Sequence, residues 1–107
     1  ISKALNNTIE KYDLFVALDV LIYIGEVSSI FKAIRNCCSQ SAIFIFSIEV
    51  QTDGDYSLLK TGRYSHSVDY ILRNSSDRFK LLESREVKLR KDNEKWITGN
   101  IICLQAN

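Results

Sequence analysis

The chain has 107 residues, with 14 Lys and Arg against 13 Asp and Glu, 46% hydrophobic residues and 25% charged residues. This length allows one domain with one core, and the apolar fraction excludes a disordered or collagen-like chain. A formal net charge of +1 gives no support for nucleic acid or an anionic membrane as a partner, because such binding requires clustered positive charge.

Several residue types are scarce. The sequence has no Pro and four Gly, too few to build a Gly-rich phosphate loop, and no Met, even at position 1. We therefore expect the 107 residues to belong to a longer or trimmed product. Cys37, Cys38 and Cys103 lack C-x-x-C spacing, so we expect buried, free thiols in a reducing compartment rather than metal ligands. Because no apolar run approaches the ~20 residues of a membrane span, and no signal peptide pattern is present, we expect a cytoplasmic protein.

The first half of the chain predicts a βαβ unit. Residues 13–18 are apolar without alternation, which is typical of a strand that is covered on both faces in a parallel sheet. A second strand of this kind is predicted at 42–48, after a turn at 39–41. Between them, apolar residues at helical spacing predict one amphipathic helix: Val27, Ile30, Phe31, Ile34, Cys37 and Cys38. Residues 1–11 are expected to form a short helix or a frayed segment.

The second half predicts a loop, a short helix and a hairpin. The loop covers residues 51–55, and Ser67 is the expected N-cap of a helix that ends near Ser76 or Asp77. Residues 79–90 and 96–105 are predicted to form antiparallel strands joined by the charged turn 91–95. The mixed-sign residues from 83 to 95 indicate a solvated edge strand. The predicted core includes four aromatic residues: Phe15, Phe44, Phe46 and Trp96.

Three strings of residues resemble a known family. Residues 12–25, YDLFVALDVLIYIG, are similar to the fourth strand and following turn of class I S-adenosylmethionine-dependent methyltransferases. Residues 46–49, FSIE, and 62–67, GRYSHS, resemble later signatures of the tetratricopeptide-repeat-associated members. The resemblance covers nearly the whole chain as a C-terminal half, residues 1–107 forming a single domain. The family's Gly-rich loop would precede Ile1, and its Pro-Gly-Gly turn is replaced by residues 38–41, CSQS.

The resemblance implies an α/β, truncated Rossmann-like fold with flanking helices. Its four-stranded mixed sheet would combine the parallel βαβ unit with the C-terminal antiparallel hairpin, in the spatial order first, second, fourth, third. The first strand, 13–18, would have one unpaired edge, a site for association. We expect this edge to be covered by a second copy in a homodimer, by residues 1–11, or by a missing N-terminal half.

The resemblance also implies site residues. Leu18 and Asp19 would face the methionine end of S-adenosylmethionine, and Tyr23, Arg63 and Tyr64 would face the methyl acceptor. Two alternatives remain open: Asp19 caps the next helical turn, and Tyr23 packs beneath it.

His66 is the one histidine of the chain and is the candidate general base, with a hydrogen-bonding structural role as its alternative. No set of metal-ligating residues is evident in the sequence.

Two functions compete at this stage. The first is a methyltransferase of which this chain is the C-terminal half and which does not bind the cofactor alone, because one side of a pocket cannot bury most of a ligand. The alternative is a non-catalytic dimeric remnant that serves as an interaction module.

Overall fold

The computed structural model describes residues 11–107, so the predicted segment 1–11 lies outside the described residues apart from Lys11. A 3-10 helix at Leu21–Tyr23 and two α-helices, α1 (Ser28–Asn36) and α2 (Val68–Ser75), flank a sheet. The sheet consists of six strands: β1 (Tyr12–Ala17), β2 (Cys38–Val50), β3 (Tyr56–Leu58), β4 (Tyr64–His66), β5 (Phe79–Asp92) and β6 (Lys95–Ala106).

The four predicted strands pair in the predicted order. β1 runs parallel to β2, with Phe15 opposite Phe44, and β2 is antiparallel to β6 along its other edge. β6 is in turn antiparallel to β5. The order β1-β2-β6-β5 therefore confirms the mixed sheet of a parallel βαβ unit and a C-terminal hairpin.

Two short strands were not predicted. β4 pairs in parallel with the end of β2, with Ser65 opposite Glu49, and β3 is antiparallel to β4. β4 therefore extends the same edge of β2 on which β1 lies. The predicted turn at 39–41 is wrong, because β2 already begins at Cys38 and accommodates Ser41 with a φ of 66° inside the strand.

The helices cover one face of the sheet, here called the inner face. The ring of Phe31 on α1 lies 6.1 Å from that of Phe44 and 5.7 Å from that of Phe46, between centroids. Side chains of β6 and α2 complete this core, including Ile102, Leu104 and Ile71. The apolar side chains of α1, which recur with helical spacing, thus pack against the alternate side chains of β2 and β6 that point inward.

The opposite face, here called the outer face, carries apolar side chains that remain accessible. The prediction that residues 13–18 are covered on both faces is wrong for the described chain: Phe15 and Ala17 pack against the core, whereas Leu14 is 57% and Val16 58% exposed. Ile43 and Ile45 of β2, whose register places them beside Leu14 and Val16, are half-buried. β1 therefore has the sequence of a central strand and the position of an edge strand.

The C-terminal hairpin closes through Asn93 and Glu94, both with positive φ (50° and 66°), as a two-residue turn requires. Most of β5 is exposed, as predicted for an edge. Trp96 is not a core residue, because its side chain is 49% exposed and the Lys88 and Lys91 ammonium groups lie 5.8 and 5.2 Å from its ring centroid. Cation–π contacts of this kind suit an exposed indole.

The predicted N-cap of α2 is confirmed. Ser67 Oγ accepts a hydrogen bond from the Tyr70 N–H at 3.0 Å, and the helix ends at Ser75. No helix within residues 11–107 is long and apolar enough to cross a membrane.

The three cysteines are free. Cys37 and Cys38 are buried, as predicted, whereas Cys103 is partly exposed on the outer face. Burial raises the pKa of the Cys38 thiol, which keeps it protonated and unreactive.

Candidate functional site

Asp19 lies just beyond the carboxyl end of β1, where the chain turns sharply. Its φ is 57°, in the left-handed region that Asp tolerates better than most residues, and its N–H donates to Ser47 Oγ on β2 at 3.0 Å. The following 3-10 helix has Val20 as its N-cap residue and no side-chain cap. The structure therefore does not use Asp19 as a cap, and its carboxylate is directed to another element.

Arg90 connects Asp19 to a buried carboxylate. Its Nη2 donates to Asp19 Oδ1, and its Nη1 donates to Glu49 Oε1 at 2.5 Å. Glu49 stands at the end of β2 with its side chain 4% exposed, and it also accepts a hydrogen bond from Arg63 Nε at 2.7 Å. Two carboxylates and two guanidiniums thus form a neutral network at the carboxyl ends of the parallel strands. Such pairing offsets the cost of burying the Glu49 charge.

A cleft of about 600 Å³, lined by apolar and polar side chains, adjoins this network and shares Glu49 with it. Gln51 and Ser65 line the cleft and bind each other, with Ser65 Oγ donating to Gln51 Oε1. Trp96 and Thr98 of the hairpin form the opposite wall. The cleft therefore offers hydrogen-bonding groups, apolar side chains and one indole surface beside the carboxylates of Glu49 and Asp53.

His66 lies away from solvent, with 0% of its surface exposed. Its Nε2 is 2.7 Å from the Ile24 carbonyl oxygen and 3.1 Å from that of Gly25, so Nε2 carries the proton and donates. Nδ1 has no hydrogen-bond partner among the described residues. Burial lowers the pKa of His66, the neutral form being favoured where solvent is excluded.

Three tyrosines, here called the tyrosine cluster (Tyr56, Tyr64 and Tyr70), surround His66 and hold the segment 20–27. A Cβ at Gly25 would lie 2.7 Å from both the Tyr56 and Tyr64 rings, so only glycine permits this approach. The Tyr70 hydroxyl accepts a hydrogen bond from the buried Val27 N–H at 3.2 Å. The rings of Tyr70 and His66 are stacked, with centroids 6.3 Å apart.

The predicted site residues fall into two groups. Asp19 and Arg63 are brought together through Arg90 and Glu49. Tyr64 belongs to the tyrosine cluster, which surrounds His66. Leu18 is half-exposed beside Asp19, and Tyr23 is 71% exposed on the 3-10 helix, so it does not pack beneath Asp19.

Two residues of the network were not predicted as site residues. Glu49 was noted only within the string 46–49, and its charge at the end of an apolar strand was the available signal. Arg90 was assigned to the solvated edge, because nothing local distinguishes it from neighbouring basic residues.

The methionine end of S-adenosylmethionine carries an ammonium and a carboxylate beside an apolar chain, and the residues at the end of β1 fit it on one side. Leu18 supplies an exposed apolar surface, and Arg90 occupies only Oδ1 of Asp19, leaving Oδ2 as an acceptor. Within the described part of the chain, no three His, Cys, Asp or Glu side chains are grouped so as to hold a metal ion.

Comparison with known proteins gives matches by structure only. No family model matches the sequence, and no curated protein matches it. The fold is similar to that of an S-adenosylmethionine-dependent methyltransferase from Methanosarcina mazei, with a TM-score of 0.73 and 16% identity over 94% of this chain and 63% of that one.

Two further methyltransferases were solved with S-adenosylhomocysteine. The magnesium protoporphyrin IX methyltransferase of Synechocystis PCC 6803 has a TM-score of 0.69 at 18% identity, over 96% of this chain and 48% of that one. An N-methyltransferase of Bradyrhizobium japonicum WM9 has a TM-score of 0.66 at 12% identity, over 94% of this chain and 48% of that one. The chain thus spans less than two thirds of these proteins, and it has the fold of the corresponding part of an S-adenosylmethionine-dependent methyltransferase.

Proposed function

We propose that this chain is the part of a methyltransferase that forms one wall of an S-adenosylmethionine site and contains the cleft for the methyl acceptor. The observation that carries the proposal is the network of Asp19, Arg90, Glu49 and Arg63, which lies at the carboxyl ends of β1 and β2, where Arg63 directly precedes β4. Ligands of doubly wound sheets bind beyond these strand ends. The methyltransferase folds of the structural neighbours supply the class of reaction.

When bound, S-adenosylmethionine supplies an electrophilic methyl group. Asp19, through Oδ2, would hold the ammonium of the methionine end, and Leu18 would shield the adjoining chain from water. Arg90 holds the Asp19 carboxylate in place and, through Glu49, connects it to the wall of the cleft. This arrangement acts by positioning, the main contribution that a protein makes to a transfer between two bound partners.

The methyl acceptor binds in the cleft formed by Gln51, Ser65 and Trp96, at the end of β2. Arg63 adjoins the cleft through its hydrogen bond to Glu49, and Tyr23 and Tyr64, which do not line the cleft, are proposed as acceptor-facing residues on the resemblance alone. His66 is the proposed base only if its ring is uncovered during the reaction, since the buried ring donates to the Ile24 carbonyl. That hydrogen bond supports the alternative, in which His66 has a structural role.

Calorimetric titration of the 107-residue chain with S-adenosylmethionine tests this proposal. From the sequence we expect no binding by the chain alone; with Leu18 and Asp19 exposed as one wall of a site, we now expect weak binding, with a dissociation constant on the order of 1 mM. Micromolar binding would contradict the half-site and indicate a complete pocket. Absence of binding at several times that concentration would contradict contact between this wall and the cofactor.

The alternative is a non-catalytic dimeric module. The exposed outer side chains of β1, Leu14 and Val16, favour it, because an apolar edge strand promotes association. Sedimentation of the chain distinguishes the two functions: a stable dimer that does not bind S-adenosylmethionine supports the module.

The assignment to the tetratricopeptide-repeat-associated subtype rests on the strings 46–49 and 62–67. These strings contain Glu49, Arg63 and His66, so the subtype and the proposed site share residues. A cytoplasmic location accords with three free thiols.

A further inference from the structure

The hairpin wall of the cleft carries two ammonium groups without counter-ions. Trp96 lines the cleft, and the ammonium groups of Lys88 and Lys91 lie 5.8 and 5.2 Å from its ring centroid. Within residues 11–107, neither ammonium group forms an ion pair. An anionic group of a ligand beside the indole would therefore interact favourably with both lysines at once.

Strand pairing explains why these side chains meet at the cleft. Lys91 is paired with Trp96, and Lys88 with Thr98, so all four side chains lie on one face of the hairpin. The pairing of β2 with β6 extends as far as Glu49 and Gly99. The hairpin therefore continues past the end of β2, and its residues 96–98 form one side of the cleft.

The cleft has a buried end and an exposed end. Glu49 and Ser65 are buried, whereas Trp96 and Asp53 are exposed. Both guanidiniums of the network bind Oε1 of Glu49, which leaves Oε2 as an acceptor. Ser65 Oγ gives its proton to Gln51 and also retains acceptor capacity. The group of a ligand that enters the buried end is therefore a hydrogen-bond donor.

The lining between the two ends is partly apolar. Val50, Leu59 and Ile97 are half-buried there, beside the exposed indole of Trp96. An aromatic ring suits this surface, because aromatic pairs gain stabilisation beyond the area that they bury. A carboxylate conjugated with such a ring stays in the ring plane, so the ring and the negative charge both lie beside the indole.

We infer that the cleft binds an aromatic carboxylate with a hydroxyl or amino group on the opposite side of its ring. The carboxylate lies beside Lys88 and Lys91, and the hydroxyl or amino group enters the buried end. The length is suitable: Gly99, which is paired with Glu49, is three residues from Trp96, or about 10 Å along the strand. One substituted benzene ring with a hydrogen bond at either end is comparable in length.

A cationic ligand fits the cleft less well. The Glu49 carboxylate is already paired with two guanidiniums. Asp53 is the other carboxylate of the lining, and within the described chain it forms no ion pair. An ammonium group at the exposed end would gain the attraction of Asp53 but would meet the repulsion of Lys88 and Lys91.

This choice of ligand rests on the proposed function, which makes the cleft the acceptor site, but its test requires no cofactor. Trp96 is the single tryptophan of the chain, so its fluorescence reports binding directly. The probe is para-hydroxybenzoate. It is compared with para-hydroxybenzyl alcohol and para-hydroxybenzylamine, which replace the carboxylate by a neutral and a cationic group, and with benzoate, which lacks the donor.

We expect a saturable change in fluorescence with para-hydroxybenzoate, with a dissociation constant on the order of 1 mM. The alcohol and the amine should bind about fivefold more weakly, because each loses the attraction of two exposed ammonium groups. Benzoate should also bind more weakly, because the acceptors at the buried end are left without a donor.

Charge variants test the orientation of the ligand. Lys88→Gln combined with Lys91→Gln should weaken binding of para-hydroxybenzoate about fivefold. Lys32→Gln combined with Lys80→Gln makes the same change of charge at exposed sites outside the cleft and should bind normally. Asp53→Asn should strengthen binding, because it removes a negative charge from the lining. All five sites are exposed, so the variants fold.

Equal binding of the alcohol, tighter binding of the amine, or equal losses in the two double variants would each overturn the inference. Titration of the same chain with S-adenosylhomocysteine separates this result from the proposed function. If the chain binds S-adenosylhomocysteine but not para-hydroxybenzoate, the acceptor class is wrong and the cofactor wall stands. If it binds para-hydroxybenzoate but not S-adenosylhomocysteine, the ligand class of the cleft stands and the cofactor wall is wrong.

Discussion

Arg90 Nη1 lies 2.5 Å from Glu49 Oε1, although 41 residues separate the two in sequence. The contact joins β5 to the end of β2, which β5 does not pair with, and Nη2 of the same guanidinium reaches Asp19. One side chain of the hairpin therefore holds together the two strand ends at which the proposed cofactor and acceptor meet.

Replacing Glu49 with Gln keeps the size of the side chain and removes its charge. We expect the free energy of unfolding to fall by about 2 kcal/mol, less than the ~3–5 kcal/mol for a fully buried pair, because Arg63 and Arg90 are partly exposed. The matched control is Glu83→Gln, whose exposed pair with Arg85 is worth less than about 1 kcal/mol. Urea denaturation measures both, and equal losses would show that the network does not stabilise the fold.

Gly99 lies where β5, β6 and β2 approach closely. A Cβ there would be 2.2 Å from the Ile48 carbonyl oxygen and 2.4 Å from Leu89 Cδ1, and the backbone atom cannot move aside. We expect Gly99→Ala to lower the free energy of unfolding by about 3 kcal/mol. Thr98→Ala, at an exposed position on the same strand, should cost less than about 1 kcal/mol in the same urea titration. A tolerated alanine at position 99 would contradict the close approach.

Tyr70 connects α2 to the start of α1 through its hydroxyl group. Tyr70→Phe leaves the Val27 N–H without its acceptor in a buried place, and we expect a loss of about 1 kcal/mol. Tyr23→Phe removes the same atom from an exposed ring and should leave thermal unfolding unchanged. If the two variants unfold alike, the hydroxyl of Tyr70 does not hold the segment 20–27.

His66 should make stability depend on pH in a defined direction. Its pKa is lowered in the folded state, chiefly by burial, so below an unfolded value of about 6.5 the unfolded chain takes up the proton first. The stability that the neutral ring contributes is fully present above pH 6.5 and is lost as the pH falls toward the folded pKa. Urea midpoints between pH 8 and pH 5 measure the effect, and His66→Gln should lack this component. An equal slope in the variant would assign the pH dependence to other groups.

The sheet order could be predicted from sequence because it depends on long, strongly patterned segments and on the resemblance. Three segments can be recognised from their own residues: the uninterrupted apolar strings 13–18 and 42–48, and the charged turn before 96–105. β3 and β4 have three residues each, too short for an alternating pattern to be recognised. Their pairing is determined by the end of β2 and by the packing of Tyr56 and Tyr64 on Gly25.

The candidate site could be predicted only in part. Asp19 was placed correctly at the end of a strand, but its partner Arg90 comes from 71 residues further along the chain. No spacing rule relates two such positions, and a register irregularity between Lys88 and Arg90 alters the strand there. The exposure of Leu14 and Val16 was not predicted, because a strand's sequence shows that its faces can be covered and not what covers them.

Chemical shift mapping with S-adenosylhomocysteine tests the central claim most directly. We expect saturable shifts of the backbone amides of Leu18, Asp19 and Val20 and of Ser47, which binds the Asp19 N–H, in the ¹⁵N-labelled chain. Asp19→Asn should reduce these shifts, and Asp77→Asn, a matched change at an exposed Asp that also pairs with an Arg, should not. Shifts that are absent, that occur elsewhere, or that persist unchanged in Asp19→Asn would contradict a cofactor wall at the end of β1.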